Sequence, residues 1–275
     1  MKTSAAAEIA APIVRLAADV SVDDGAAALV RARAFAEPLL AGHKLDTGED
    51  ALAHADGVAA VLQAIGAAPA MQAAAFLVYA GDWLQRPEEV VAKAFGESYA
   101  GLVGHTRKLV QIQRAARQAH PAGDAAAQAE QTERVRKMLL AFSRDLRVVL
   151  LRLASRLQTL RWHAAARVAC PEQVARESLS VFAPLANRLG IWQIKWELED
   201  LAFRFLQPAD YKRVAGWLDE TRSAREAAIE AYRDELAADL RAQGIGAEVQ
   251  GRPKHLFSIW KKMQGKQLDF TQVFD

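Results

Sequence analysis

Cysteine, glycine, proline and aromatic residues are all scarce in this sequence. The 275 residues include one cysteine, Cys170, which excludes a disulfide framework and a zinc site built from several cysteines. Glycine occurs 16 times and proline 9 times, and aromatic residues make up 7% of the chain. Alanine, the strongest helix former, supplies about a fifth of the residues. This composition predicts a mostly helical protein.

Charge of one sign and long apolar runs are also lacking. The 35 basic and 33 acidic side chains nearly balance, which excludes a polybasic tail or a strongly charged nucleic-acid surface over the whole chain. Apolar runs such as 148–151 are far shorter than the ~20 residues that a membrane helix needs. Glu8 interrupts the alanine run at 5–7 and no sustained apolar segment follows, so no signal peptide is predicted. We therefore expect a soluble, cytoplasmic protein that has no membrane partner.

Helical periodicity dominates most of the chain. Residues 1–24 are predicted to be a variable lead-in, 25–200 a helical domain with a loop at 120–129, and 201–243 a helical connector. A polar helix over 208–243 makes up most of that connector. The other predicted helices span 25–40, 51–65, 71–84, 99–119, 131–160, 171–189 and 191–206, with one more beginning at Pro87.

The pattern changes in the last part of the chain. Residues 245–250 and 270–275 are predicted as strands, and 254–263 between them as a helix. A strand, a helix and a second strand in succession are typical of an α/β unit. Residues 244–275 are therefore predicted to begin a separate, incomplete domain.

Two kinds of catalytic site receive little support from the residues alone. Among six histidines, only His54 lies on a strongly amphipathic helix near a carboxylate, Asp56, and no His-Asp dipeptide occurs. A lone histidine in this setting is more often a buried structural residue than a metal ligand, because a divalent metal needs further nitrogen and carboxylate ligands. A nucleophilic role for Cys170 is also disfavoured, since His163 is not at a useful spacing.

A cluster of basic residues near the C-terminal end suggests a polyphosphate site. Arg252 and Lys254 precede the predicted helix, and Ser258 and Lys262 follow Lys254 at a spacing of four, which places them on one helix face. Cations beside a helix N-terminus suit a polyphosphate, although a solvated basic face explains the same spacing equally well. Asp275 ends the last predicted strand, where a Mg²⁺ ligand for phosphoryl transfer would lie.

Four segments carry a resemblance to a known family. GRPKH at 251–255 and SIWKKM at 258–263 closely resemble the start of the synthetase domain in the RelA/SpoT family of alarmone enzymes. PLANRLG at 184–190 and KWELED at 195–200 are similar to that family's signature, and to its RelA branch in particular. The resemblance runs from about residue 25 to the end of the sequence.

The resemblance implies both a fold and an activity. Family members transfer pyrophosphate from ATP to the 3′-hydroxyl of GTP or GDP, which makes (p)ppGpp in the stringent response. They carry a helical HD-type hydrolase domain, then an α/β nucleotidyltransferase-like synthetase domain, then C-terminal domains that sense the ribosome. By this resemblance Arg252, Lys254, Ser258 and Lys262 would contact ATP, and Asp275 would be a catalytic Mg²⁺ ligand. The chain is then expected to be an N-terminal fragment in which the synthetase domain is truncated.

The sequence departs from the family where the hydrolase would hold its metal. Val78 and Tyr79 stand at the family's His-Asp pair, and Ser155 stands at a later aspartate. Only His54 of the metal ligands remains, and Asp82 lies near the family's acidic pair. The positions of this degenerate site are His54, Val78, Tyr79, Asp82, Ser155, Gln158 and Thr159.

These departures lead to two expectations. Because one nitrogen ligand cannot retain Mn²⁺, we expect a degenerate HD-type domain that binds no Mn²⁺ and hydrolyses no (p)ppGpp. We also expect the chain to make no alarmone by itself, since the family's second carboxylate and guanine site lie beyond Asp275. Two alternatives stay open. They are a bifunctional enzyme with Mn²⁺-dependent hydrolysis, and a non-catalytic helical interaction module.

Overall fold

The computed structural model describes residues 22–119, 133, 137, 145–218, 222–249, 251 and 254–274. Within these residues the chain is almost entirely helical, and its one β feature is an isolated bridge between Lys44 and Asp50. The predicted mostly helical class is therefore confirmed. No helix in the described ranges is long and apolar enough to cross a membrane. The chain divides into two compact units between Ala202 and Phe203, inside a helix.

The described part of the first unit contains nine α-helices, the last of which continues into the second unit. They are α1 (Val22–Leu40), α2 (Ala51–Ala64), α3 (Pro69–Ala80), α4 (Pro87–Phe95), α5 (Glu97–Ala119), α6 (Leu146–Ala166), α7 (Glu172–Glu177), α8 (Ala183–Arg188) and α9 (Trp192–Leu206). A 3₁₀ turn at Gly81–Trp83 follows α3, and a π-helical segment at Ser178–Phe182 joins α7 to α8. The loop predicted at 120–129 lies outside the described residues.

Several helix ends follow from the residues found there. The Asp50 side chain accepts a hydrogen bond of 2.8 Å from the first turn of α2, as an N-cap residue does. Pro69 and Pro87 open α3 and α4, where the missing N–H of proline costs nothing. Gly66 and Gly190 end the preceding helices with φ of +77° and +73°. Both glycines adopt the left-handed backbone that commonly ends a helix, which glycine takes up without a Cβ penalty.

Helix α3 lies at the centre of the first unit. Most of its side chains are buried, as expected for a helix that is apolar on nearly every side, and it packs against α1, α2 and α5. Helix α2 packs in turn against α6, at Gly57. A Cβ at Gly57 would lie 2.3 Å from the side-chain Cδ of Gln158, so a larger residue here would force the end of that side chain to move. The packing brings residues of α2, α3, α5 and α6 around one cavity.

The second unit contains four further helices in its described part. They are α10 (Pro208–Trp217), α11 (Arg222–Ala242), α12 (Leu256–Lys266) and α13 (Phe270–Phe274). The single helix predicted over 208–243 is therefore two helices. A small core forms where α10, α12 and α13 meet, and its buried members are Val214, Leu218, Ile259 and Val273.

The two predicted strands are wrong in the described residues. Residues 245–249 have irregular backbone, and α13 occupies Phe270–Phe274. A strand is stable only when a neighbouring strand takes up its backbone hydrogen bonds, and no such neighbour exists among the described residues. As a helix, the last segment instead buries Val273 in the small core while Phe270 packs beside it, because residues three apart share a helix face.

Candidate functional site

A cavity of about 150 Å³ lies in the first unit, where α2, α3, α5 and α6 meet. Six of the seven positions predicted for the degenerate hydrolase site line this cavity: His54, Val78, Tyr79, Asp82, Ser155 and Thr159. The seventh, Gln158, contacts the same group through Glu49. The fold therefore brings together residues that are up to 105 positions apart in the sequence.

His54 is the centre of a buried hydrogen-bond network. Its ring is 2% exposed, and Nδ1 lies 2.6 Å from Oε2 of Glu49. The opposite nitrogen, Nε2, lies 2.8 Å from the Tyr79 hydroxyl, which lies in turn 2.7 Å from Oγ of Ser155. The amide of Gln158 donates to the other oxygen of Glu49 at 2.7 Å. Both ring nitrogens of His54 are thus engaged with protein groups.

The Tyr79 hydroxyl lies between His54 and Ser155, two of the positions where the family resemblance places metal ligands. A hydroxyl has one proton, so it donates to one of these neighbours and accepts from the other. Burial raises the pKa of Tyr79 to about 12, which keeps the phenol neutral near pH 7. A neutral phenol is a poor metal ligand compared with a carboxylate. In the described part of the chain, no group of three or more His, Cys, Asp or Glu side chains is placed to hold a metal.

Two arginines of α6 extend the network and were missed by sequence reasoning. Arg152 donates to the side-chain oxygen of Gln113 at 2.9 Å. Arg156 pairs with Glu177 at 2.9 Å, with both side chains 4% exposed, and its guanidinium stacks over Phe182 at 4.4 Å. The signal that could have found them is two arginines four residues apart within the mostly apolar stretch 148–157. Such charges must find buried partners.

An ion pair lies at the edge of the cavity. Arg107 of α5 donates from Nε to Asp82 at 3.0 Å, and both residues line the cavity. The arginine side chain crosses the backbone at Gly81, where a Cβ would lie 3.0 Å from its Cδ. Glycine at position 81 therefore helps to position Arg107 over the turn that follows α3.

The second unit holds the described part of the predicted polyphosphate site. Burial and the nearby ammonium groups of Lys262 and Lys266 lower the pKa of Lys254 below its usual value. The three lysines therefore lie close together. Lys262 donates from Nζ to the backbone carbonyl of Val273 at 3.2 Å. Ser258 lies on the same helix, α12. These contacts show a local cluster of positive charge.

Two residues predicted for this site cannot be placed. Arg252 and Asp275 lie outside the described residues. Their expected roles at ATP and at Mg²⁺ therefore stay predictions.

Comparison with known proteins defines the class of the helical part. Residues 32–192, more than half of the chain, match the family model of the HD domain. The chain therefore belongs to the HD-domain family. A curated protein of Synechocystis, named a probable guanosine-3′,5′-bis(diphosphate) 3′-pyrophosphohydrolase, is 38% identical over 248 residues, which are 90% of this chain and 31% of that protein.

Further relatives identify the family more closely. A GTP pyrophosphokinase of Escherichia coli is 44% identical over 188 residues, which are 68% of this chain and 25% of that protein. A GTP pyrophosphokinase of Streptomyces coelicolor is 36% identical over 245 residues, 89% of this chain and 28% of that protein. The chain is a member of the RelA/SpoT family, as the sequence motifs predicted. It spans between a quarter and a third of the length of these relatives.

Proposed function

We propose that this chain is part of a RelA-like GTP pyrophosphokinase whose HD-type domain is an inactive hydrolase. In this proposal the whole protein transfers pyrophosphate from ATP to the 3′-hydroxyl of GTP or GDP. The Escherichia coli and Streptomyces coelicolor relatives are named for that activity. The main support for an inactive hydrolase is the position of the Tyr79 hydroxyl. It lies 2.8 Å from Nε2 of His54, the imidazole nitrogen that a metal would need.

The network around His54 supports the loss of hydrolysis. Metal-dependent hydrolysis of a phosphate ester uses the metal to generate hydroxide from water and to stabilise the developing charge. A metal bound at His54 would have to displace Tyr79 from Nε2 and would then find Ser155 where a carboxylate is needed. The residues present therefore do not fit Mn²⁺, and no hydrolytic step is assigned to them.

The basic cluster of the second unit supports binding of ATP. Lys254 and Lys262 supply positive charge, and Ser258 supplies a hydroxyl on the helix that Lys254 precedes. These groups fit the triphosphate, because ammonium groups neutralise phosphate oxygens and helix N–H groups add donors. Arg252 is proposed to join them, and Asp275 to hold Mg²⁺, which would stabilise charge during the transfer. GTP or GDP is the proposed acceptor, and the ribosome is the proposed partner of C-terminal domains.

The 275-residue chain is proposed to have no synthetase activity by itself. Lys262 donates a hydrogen bond to the carbonyl of Val273 near the end of α13, so one of its three N–H donors is occupied. The segment that would present Asp275 from a strand forms a helix instead. The cluster can then contact phosphates but lacks the arrangement for in-line transfer.

The experiment that tests the hydrolase proposal measures release of pyrophosphate from ppGpp by the purified chain with Mn²⁺. We expect no release and no retained Mn²⁺ by metal analysis. Mn²⁺-dependent release that is lost in a His54→Ala variant would instead establish the bifunctional alternative, which the name of the Synechocystis relative makes the relevant rival. The variant Asp56→Ala, changed at an exposed residue of the same helix, is the matched control.

The synthetase proposal has its own test. The chain is incubated with ATP, GTP and Mg²⁺, and pppGpp is measured. We expect none from this chain, whereas a longer chain of the same gene that continues the synthetase domain is expected to be active. Loss of that activity in Lys254→Gln and Lys262→Gln variants would support their proposed contacts. Full activity in both would contradict them.

A further inference from the structure

Asp210 of α10 connects two other side chains of the second unit. Its Oδ2 accepts a hydrogen bond of 3.1 Å from the indole Nε1 of Trp260, a residue of α12 that is 50 positions away in the sequence. Its other oxygen, Oδ1, accepts a hydrogen bond of 2.6 Å from Arg213, one turn further along α10. Asp210 therefore links α10 to the helix that carries Ser258 and Lys262.

An acidic residue in the first turn of a helix has an ordinary explanation, because it interacts favourably with the helix dipole. That explanation accounts for Asp210 at the start of α10, but not for the indole N–H that its Oδ2 accepts. The indole of Trp260 is partly buried and has a single N–H donor, and a carboxylate gives it a charge-assisted hydrogen bond. The pairing is therefore a specific contact between two helices.

The core that α10 and α12 share is apolar. Val214 and Ile259 are both fully buried in it. The ring of Trp260 lies beside this core, with its centroid 5.0 Å from that of Phe203 and 5.8 Å from that of Phe257. Burial of apolar surface has no direction, so it holds the helices together without fixing the rotation of α12 about its own axis. A hydrogen bond is directional, and the one from Trp260 to the carboxylate fixes that rotation.

Helical geometry places Trp260 opposite the polar side chains of the proposed triphosphate site. Successive residues of an α-helix are ~100° apart, so Ser258 and Lys262 each lie ~160° around α12 from Trp260. The outer edge of a helix lies ~5–6 Å from its axis, so a rotation of ~20° moves the end of a side chain by ~2 Å. A misplacement of ~1 Å can slow an enzyme ~100-fold. The rotation of α12 therefore decides whether Ser258 and Lys262 are presented together to one ligand.

We propose that Asp210 is a positioning residue for the triphosphate of ATP. Its carboxylate does not touch the substrate. It holds Trp260, and through Trp260 it sets the direction in which Ser258 and Lys262 leave α12. This inference rests on the proposed synthetase function, because it needs a triphosphate at that face of the helix. Asp210 lies outside the segments 251–255 and 258–263 that carry the resemblance to the synthetase domain.

Steady-state kinetics of the longer chain that continues the synthetase domain test the proposal. Asp210→Leu removes the acceptor at similar volume, and Trp260→Phe removes the donor but keeps an aromatic ring. Each is expected to raise the KM for ATP ~5–10-fold, as the loss of about one hydrogen bond does, and to leave the KM for GTP unchanged. Asp210→Asn keeps an acceptor oxygen, so its KM for ATP is expected to stay near that of the wild type. Because both single variants break the same bond, the double variant is expected to be no worse than either one.

The two Michaelis constants separate positioning from a general structural role. A variant that only unfolds part of the enzyme lowers the amount of active protein, so it reduces kcat and leaves both KM values unchanged. Two control variants locate the effect. Arg213→Gln removes the other partner of the same carboxylate, and Asp234→Ala removes an exposed carboxylate of α11 that pairs with Arg233. Neither is expected to change the KM for ATP.

The failure of this inference and the failure of the proposed function give different results. Absence of pppGpp synthesis by the wild-type longer chain would contradict the proposed function, and the inference with it. Synthesis that depends on Lys254 and Lys262, with an unchanged KM for ATP in Asp210→Leu and Trp260→Phe, would overturn the inference alone. So would a loss of kcat at unchanged KM values in these two variants, or an Asp210→Asn variant with as high a KM for ATP as Asp210→Leu.

Discussion

Glu49 is the residue on which the network at His54 depends most. Its carboxylate is 1% exposed and accepts two hydrogen bonds, from His54 at 2.6 Å and from Gln158 at 2.7 Å. Glu49→Ala leaves both donors buried without an acceptor. Hydrogen bonds to a charged group contribute roughly 1.5–3 kcal/mol each, and breaking a buried pair costs roughly 3–5 kcal/mol. We therefore expect the free energy of unfolding to fall by ~4 kcal/mol, a large fraction of a typical total of about 5–15 kcal/mol.

Urea unfolding followed by circular dichroism measures this loss. Glu49→Gln keeps the shape and one acceptor oxygen, so it is expected to cost less than Glu49→Ala. The control is Asp56→Ala, which removes an ion pair to Arg33 of 3.0 Å whose side chains are 46% and 42% exposed. Exposed pairs contribute about 0–1 kcal/mol. A Glu49→Ala variant no less stable than the Asp56→Ala variant would refute the described network.

Three further predictions concern the same unit. Arg156→Ala removes the cation that pairs with the buried carboxylate of Glu177 and is expected to cost ~3–5 kcal/mol in urea unfolding, so a loss below ~1 kcal/mol would contradict the buried pair. Gly57→Ala places a Cβ 2.3 Å from the Gln158 side chain and is expected to lower the free energy of unfolding by ~1–3 kcal/mol in the same urea assay. The control is Gly101→Ala in α5, where a Cβ meets open space, and it is expected to be neutral or stabilising. The pKa of Tyr79 is raised to about 12, so one tyrosine should titrate near pH 12 by ultraviolet absorbance, and Tyr79→Phe should remove that step. Because the unfolded chain loses this proton near pH 10, the contribution of Tyr79 to stability is complete below pH 10 and is lost as the pH rises to about 12.

The helices could be predicted because their signals are local. Proline at the first position, glycine after the last turn and an apolar stripe each act within a few residues. Pro87 therefore marked where α4 begins, and Gly190 follows the end of α8. Pro69 opens α3 in the same way, two residues before the start predicted at Met71. The break between α10 and α11 carries no such marker, which explains why one long helix was predicted there.

The segment at 270–274 shows where local signals fail. Its aromatic and β-branched residues favour a strand, but strand formation depends on a distant partner that the segment does not contain. The helix forms because Val273 can enter the core of α10 and α12 with Phe270 beside it. Tertiary packing therefore decides the structure of this segment, and its local propensity does not.

The site was predicted only in part, because some of its residues are brought together by tertiary packing and not by a local sequence signal. The resemblance identified His54, Tyr79 and Ser155 by position, and the structure places them within hydrogen-bond distance of one another. Glu49 was missed, because it lies in a short polar segment that is typical of an exposed loop. It becomes buried when that loop folds back, with a hydrogen bond of 2.9 Å from the Leu45 amide to its own carbonyl.

The chemistry of the network is compatible with the proposed loss of the metal site. Carboxylates at positions 79 and 155 would face Glu49 across His54, and three buried carboxylates without a cation repel one another. A bound metal would offset that repulsion. Tyr79 and Ser155 are uncharged, and they hydrogen-bond to each other and to His54. We therefore expect the helical unit with these residues to bury the whole group at neutral pH without any ion, and its stability to be unchanged by added Mn²⁺ or by a chelator.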